Sequence, residues 1–202
     1  MKPGLATHRV YFFVVLWFTL WVGFFGTFRP EEILRALPWP VPPLHARFIG
    51  AFYLSATVFL LLSLFAKSLL AMRTIVLMAF TWTGWLLLIT FMHWRTFDFS
   101  RPQPWFWVVA YVLFPTTAAW LAWAGPATPR PASGLVTESW VLAGLRLQGG
   151  VLLALAAACF FAPQWIVTIW PWKISPFLAQ VYSGPLIAYA VANLILAARR
   201  NW

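Results

Sequence analysis

The sequence predicts an all-α polytopic membrane protein with six transmembrane helices, arranged as three helical hairpins with a parallel internal repeat. Three observations point there: the scarcity of charge, six long apolar runs, and a likeness between the two ends of the chain. Of 202 residues only 9% are charged and 62% are hydrophobic. An average soluble domain carries about 25% charged residues, so this chain lacks the polar surface that water requires. Its natural solvent is hydrocarbon, and its first partner is the lipid bilayer.

Spanning the hydrocarbon core takes about 20 apolar residues in a helix. Six segments meet that length, at 8–28, 45–66, 72–92, 104–124, 139–161 and 176–198, and together they make residues 1–202 a single transmembrane domain. The apolar residues run on without alternating, which excludes membrane strands. Helices also satisfy their own backbone hydrogen bonds, which lipid cannot do. The first run follows Met1-Lys2-Pro3-Gly4 but is long for a signal peptide and lacks a small-x-small cleavage site, so it reads as a retained helix. The stretch 125–138 is rich in Pro and Gly and reads as a flexible link. Glu138 then stands where a helix N-terminus favours negative charge.

The net charge is +10. The positive residues stand singly between apolar runs, the pattern of membrane-flanking charge, and no run resembles a nucleic-acid patch. Lys2, Arg9, Lys67, Arg73, Arg130, Arg146, Arg199 and Arg200 fall on the side of the termini; Arg29, Arg35, Arg47, Arg95, Arg101 and Lys173 fall on the other. That bias places both termini in the cytoplasm, and the expected location is a bacterial cytoplasmic membrane.

With residue 28 set over residue 161, the chain aligns on itself without gaps. Pro30, Pro38, Trp39, Pro43 and Ala46 fall on Pro163, Pro171, Trp172, Pro176 and Ala179. Lys67 falls on Arg200, just past the second and sixth helices. Each unit reads as helix, embedded connection, helix. Proline keeps the connection out of regular helix, and Trp39 and Trp172 suit the headgroup level. Pro43 and Pro176 each suit the first turn of a descending helix, with Ser175 as a cap. Both units start on an odd-numbered helix, so the repeat is parallel, unlike an inverted transporter repeat.

The stretch Leu37-Pro38-Trp39-Pro40-Val41-Pro42-Pro43-Leu44-His45-Ala46-Arg47-Phe48-Ile49-Gly50 resembles a pattern in a group of bacterial multi-helix membrane proteins. There a Trp-Pro-rich connection precedes a Pro-x-x-Ala-Arg-x-x-Gly helix start. The resemblance implies a membrane protein and carries no activity with it. Trp-Pro connections and size are also similar to those of the tryptophan-rich sensory proteins, which bind porphyrins and sterols. Those have five spans, and their loop signatures do not align here.

Groups that carry chemistry are few. The single cysteine, Cys159, lies in an apolar run and has no internal disulfide partner. His45 and His93 fall on one membrane side, where two histidines are able to hold a haem or metal; without further ligand motifs, interfacial histidines are the better reading. Glu31, Glu32 and Asp98 share that side with several arginines and suit a salt-bridged cap. Arg146 reads as a snorkelling side chain. The apolar-ligand candidates are Trp39, His45, His93, Trp94 and Trp172, on the Trp-rich hairpin face. Gln148 and Asn193 are costly in lipid and suit interhelical hydrogen bonds, and Gly149 and Gly150 open a small-residue face on the fifth span.

No nucleophile elbow, phosphate loop or zinc pattern is present. The first functional expectation is therefore a non-enzymatic accessory or interaction subunit, with other membrane protein subunits as partners. The second is a binder or carrier of a quinone, lipid or tetrapyrrole at the hairpin face.

Overall fold

The computed structural model describes residues 3–124 and 138–198. Among these, all regular structure is helical: α1 (Leu5–Phe28), α2 (Pro30–Ala36), α3 (Pro43–Leu64), α4 (Leu69–Met92), α5 (Pro102–Trp123), α6 (Ser139–Phe161), α7 (Pro163–Ile169) and α8 (Pro176–Ala198). Six of them are long and apolar enough to cross a membrane. The chain is an integral, multi-pass membrane protein. Of the link expected at 125–138, all but Glu138 lies outside the described residues; Glu138 precedes α6 without a side-chain cap bond.

Several spans start two or three residues earlier than the apolar pattern suggests. Pro43 and Pro102 occupy the first turns of α3 and α5, where a missing N–H costs nothing. Ser68 caps α4 through the Ala71 amide, and Ser175 accepts from the Leu178 amide at the start of α8. Two elements were not expected. The first parts of the repeat connections, taken above as non-helical, form the short helices α2 and α7. The reason is position: Pro30 and Pro163 start these helices instead of interrupting them.

The repeat extends to the backbone. α2 spans 30–36 and α7 spans 163–169, in the same register as Phe28 over Phe161. The residue before α2, Arg29, has φ −133 and ψ 60; its counterpart Ala162 has φ −127 and ψ 50. The residues after them, Leu37 and Trp170, have φ −68, ψ 144 and φ −67, ψ 140. Ile33 and Ile166, at matching positions, are both buried.

The spans pair as three antiparallel hairpins, α1 with α3, α4 with α5, and α6 with α8, and α4 also packs on α8. In lipid, helices associate by close packing rather than by a hydrophobic gain. The first hairpin does this through glycine. A Cβ on Gly50 would stand 2.6 Å from the Thr27 amide nitrogen, and one on Gly26 would stand 2.9 Å from the Gly50 Cα. The matching positions of the second hairpin hold Ser183 and Cys159, both fully buried, so α6 and α8 cross with room for small side chains. Gly149 also packs inward, its Cβ position 2.9 Å from Leu194, whereas Gly150 faces open space.

These contacts predict different fates for two glycines. Gly50→Ala pushes α1 from α3 and is expected to destabilise by about 1–3 kcal/mol, as overpacking does, lowering the thermal midpoint in mild detergent. Gly150→Ala meets no neighbour and is expected to leave the midpoint unchanged or slightly raised. Equal melting of the two variants would contradict the crossing geometry.

Candidate functional site

On the hairpin face, the connections fold inward. Trp39 is 3% exposed. Its ring meets Phe97 of the second connection at 5.7 Å, Trp107 of α5 at 4.8 Å and Phe177 of α8 at 5.3 Å, all edge-on, the geometry aromatic quadrupoles favour. One tryptophan thus joins all three hairpins. Its repeat counterpart, Trp172, packs on Phe48 of α3 at 5.2 Å and on Trp170 at 5.5 Å. Each repeat therefore sets its connection tryptophan against the other repeat's third helix.

The two histidines serve the same joint. His45 Nδ1 and the Tyr182 hydroxyl are hydrogen-bonded at 2.6 Å, linking α3 to α8. His93 Nε2 donates to Gln180 Oε1 at 2.5 Å, and Gln180 Nε2 donates to the Phe160 carbonyl at 3.0 Å. His45 and His93 are each held by a protein partner, and no group of three or more His, Cys, Asp or Glu suited to a metal occurs among the described residues. Trp94 lies outside this core, half exposed and stacked on Phe99 at 4.2 Å. The cavity that Trp39 borders, together with Tyr53, Trp82, Trp107 and Tyr182, has a volume of about 20 Å³, enough for roughly one water.

The acids of this face do not form a cross-hairpin cap. Among the described residues the ion pair is Arg35 to Glu32 at 3.7 Å, within α2 and exposed. The first two connections are tied instead through the Arg35 carbonyl, which accepts from Gln103 Nε2 at 3.1 Å and Arg101 at 3.5 Å. Asp98 closes its own turn: the Ser100 hydroxyl and amide donate to it at 2.6 and 3.1 Å. Those two bonds hold the Asp98 carboxyl below the usual carboxylate range.

The hairpin face carries an open cavity of about 410 Å³ between α1, α2 and α5, bordered by Glu32, Arg35 and Gln103; a larger one is on the other half of the bundle. A cleft of about 610 Å³ lies between α3, α4, α6 and α8, lined by Ser55, Phe59, Thr74, Met78, Gln148, Leu152, Tyr189 and Asn193 among others. The Ser55 and Tyr189 hydroxyls are hydrogen-bonded at 2.5 Å across its inner end. The sequence singled out Gln148 and Asn193 for helix packing. Gln148 is exposed and Asn193 half-buried, both bordering this cleft. The Thr74 hydroxyl, in the cleft wall, is buried without a partner. Sequence reasoning noted Ser55 among the polar residues of the spans but did not select Thr74; a lone hydroxyl in a span ordinarily bonds to its own helix. Tyr189 was likewise passed over among so many aromatics.

Comparison with protein-family models, with curated proteins and with solved structures finds no match for this chain.

The histidine–tyrosine bond across the repeats yields a measurable coupling. His45→Phe and Tyr182→Phe are each expected to lower stability in detergent, and the double variant to lower it by less than their sum. The coupling energy should be about 0.6 kcal/mol and no more than about 1.7 kcal/mol, the average and the maximum measured for interhelical polar pairs. Strict additivity would show that the bond carries no stability.

Proposed function

We propose that the protein binds an apolar or amphipathic small molecule of the membrane, taken laterally into the cleft between α3, α4, α6 and α8. One observation carries the reading: a cavity of about 610 Å³ in a membrane span bundle, apolar in most of its lining and furnished with a few hydrogen-bonding side chains. Ligand sites of about 300–1,000 Å³ have this composition. The Trp-rich hairpin face offers less. Its central tryptophan is enclosed by other rings above a cavity of about 20 Å³, and the opening of about 410 Å³ beside α2 is smaller than the cleft and bordered by the charged Glu32 and Arg35. Trp39, His45, His93 and Trp172 act in this reading as the scaffold that holds the two repeats together, with Trp94 at its rim.

The test is occupancy. The protein is extracted from its membrane in mild detergent, and its small-molecule content is measured by native mass spectrometry and organic extraction. A lipophile near one per chain is expected. Ala192→Trp, which fills the cleft, should remove most of it while leaving the thermal midpoint within a few degrees. The same lipophile content in both proteins would refute the reading.

A second reading, an accessory subunit of a membrane complex, is favoured by α6. This is the least buried span, 17% against 50% for α8. Its exposed residues Ala143, Leu147, Gly150, Ala154 and Ala157 recur at spacings of three and four, so they share a face smooth enough for a partner helix. Under this reading Gly150→Leu shifts the protein to a smaller species on native gels of extracted membranes, without changing its melting. An unshifted band would count against it. The orientation proposed with either reading has both termini in the cytoplasm of a bacterial cell.

A further inference from the structure

The two repeats give the cleft an internal control. In the shared register, Gln148, Leu152, Tyr189 and Asn193 of the second repeat correspond to Val15, Thr19, Ala56 and Leu60 of the first. Those four residues of the first repeat also line one cavity, against the other side of α4, and its volume is about 30 Å³. Val15, Ala56 and Leu60 are buried there in close packing. At three of the four positions the first repeat is apolar and filled where the second is polar and open; at the fourth, Thr19 stands for Leu152 and donates to the Leu16 carbonyl. The scaffold therefore does not require Gln148, Tyr189 or Asn193, and their polarity needs another cause.

Neither Gln148 nor Asn193 has a hydrogen-bond partner among the described residues, although a carboxamide without one is costly in hydrocarbon. Thr74 departs from the local rule as well. Thr57, Ser63, Thr81, Thr83 and Thr90 each donate to the carbonyl four residues back; the Thr74 hydroxyl donates to none.

Charge is missing from this set. No acidic or basic side chain lines the cleft among the described residues. At about 100° per residue, Arg146 is turned by roughly 200° from Gln148 on α6. Arg73 is turned by roughly 200° from Ala71 and Ile75, which line the cleft on α4. Depth agrees. At about 1.5 Å per residue, Asn193 lies roughly 8 Å inside the end of α8, and Tyr189 roughly 14 Å. An ionic headgroup at that depth would need a paired countercharge.

We infer that the cleft receives an uncharged lipid head first, one whose carbonyl or hydroxyl oxygens meet Gln148 and Asn193, and that it discriminates against anionic phospholipids. This rests on the reading of the cleft as a binding site. The quinone and diacylglycerol classes have such heads.

The experiment uses the delipidated full chain in detergent, with decylubiquinone, dioleoylglycerol and dioleoylphosphatidylglycerol titrated separately and adducts counted by native mass spectrometry. At least one uncharged probe should bind about tenfold more tightly than the phosphatidylglycerol. Gln148→Val with Asn193→Leu, the residues the first repeat uses, should weaken it about fivefold or more, since each lost hydrogen bond is worth roughly two- to tenfold. Thermal melting should hold or rise in that variant, and Arg146→Gln should leave binding unchanged. Preferential binding of phosphatidylglycerol, weakened by Arg146→Gln, would overturn the uncharged-head inference and leave the binding reading standing. Binding of an uncharged probe that is indifferent to the double variant would also overturn it. No adduct with any probe, in wild type or Ala192→Trp, would overturn both.

Discussion

Hydrocarbon offers no hydrogen-bond partner, and that constraint governs most of what this chain does. It forces the backbone into helices. It sends most span hydroxyls back to their own helix, as in Thr83 to Ala79 and Thr90 to Leu86. Two tryptophans reach across to a specific partner: Trp85 Nε1 donates to Ser183 Oγ at 2.9 Å, and Trp107 Nε1 to Thr90 Oγ1 at 3.0 Å. Partnerless groups such as the Thr27 hydroxyl and the Trp39 and Trp170 indoles are sealed within packing; a cleft that sets two partnerless carboxamides beside an open volume stands out. The same groups at a water-facing surface would mean nothing.

The repeat explains how a cleft forms between α3, α4, α6 and α8. α3 and α8 barely approach each other at the backbone and meet through large side chains. Toward the hairpin face those side chains suffice: Trp39, Phe177, Phe48, Trp172, His45 and Tyr182 fill the gap with rings. Toward the other face the filling stops at the Ser55–Tyr189 bond. The two repeats also differ in the side chains at each hairpin's crossing. Glycines make the close approach at the α1–α3 crossing, and the matching positions of α6 and α8 hold the small, fully buried Cys159 and Ser183. The matched positions around α4 are thus filled in the first repeat and open in the second.

Much of this was legible in the sequence. Spans follow from apolar run length, and the three-hairpin order follows from short connections. The repeat was visible in the Pro30, Trp39 and Pro43 matches. The helical character of 30–36 and 163–169 was not, because proline was read as a breaker without regard to its position at the first turn. Site placement was less accessible. Tryptophan and histidine are chemically conspicuous, so attention went to the hairpin face, yet an aromatic ring serves packing as well as binding, and only coordinates separate the two roles. Gln148 and Asn193 were visible as costly residues. That they border a void instead of each other depends on which way α6 and α8 are rotated, which a span wholly rich in apolar residues does not encode.

The central claim is that the second repeat keeps its cleft open for a bound molecule. The most direct measurement is an experimental structure of the protein extracted with its native lipids, without detergent exchange. The account predicts elongated non-protein density between α3, α4, α6 and α8, with its inner end within hydrogen-bond distance of Asn193 or Gln148. A cleft closed by protein side chains, with those two carboxamides bonded to neighbouring helices, would contradict it.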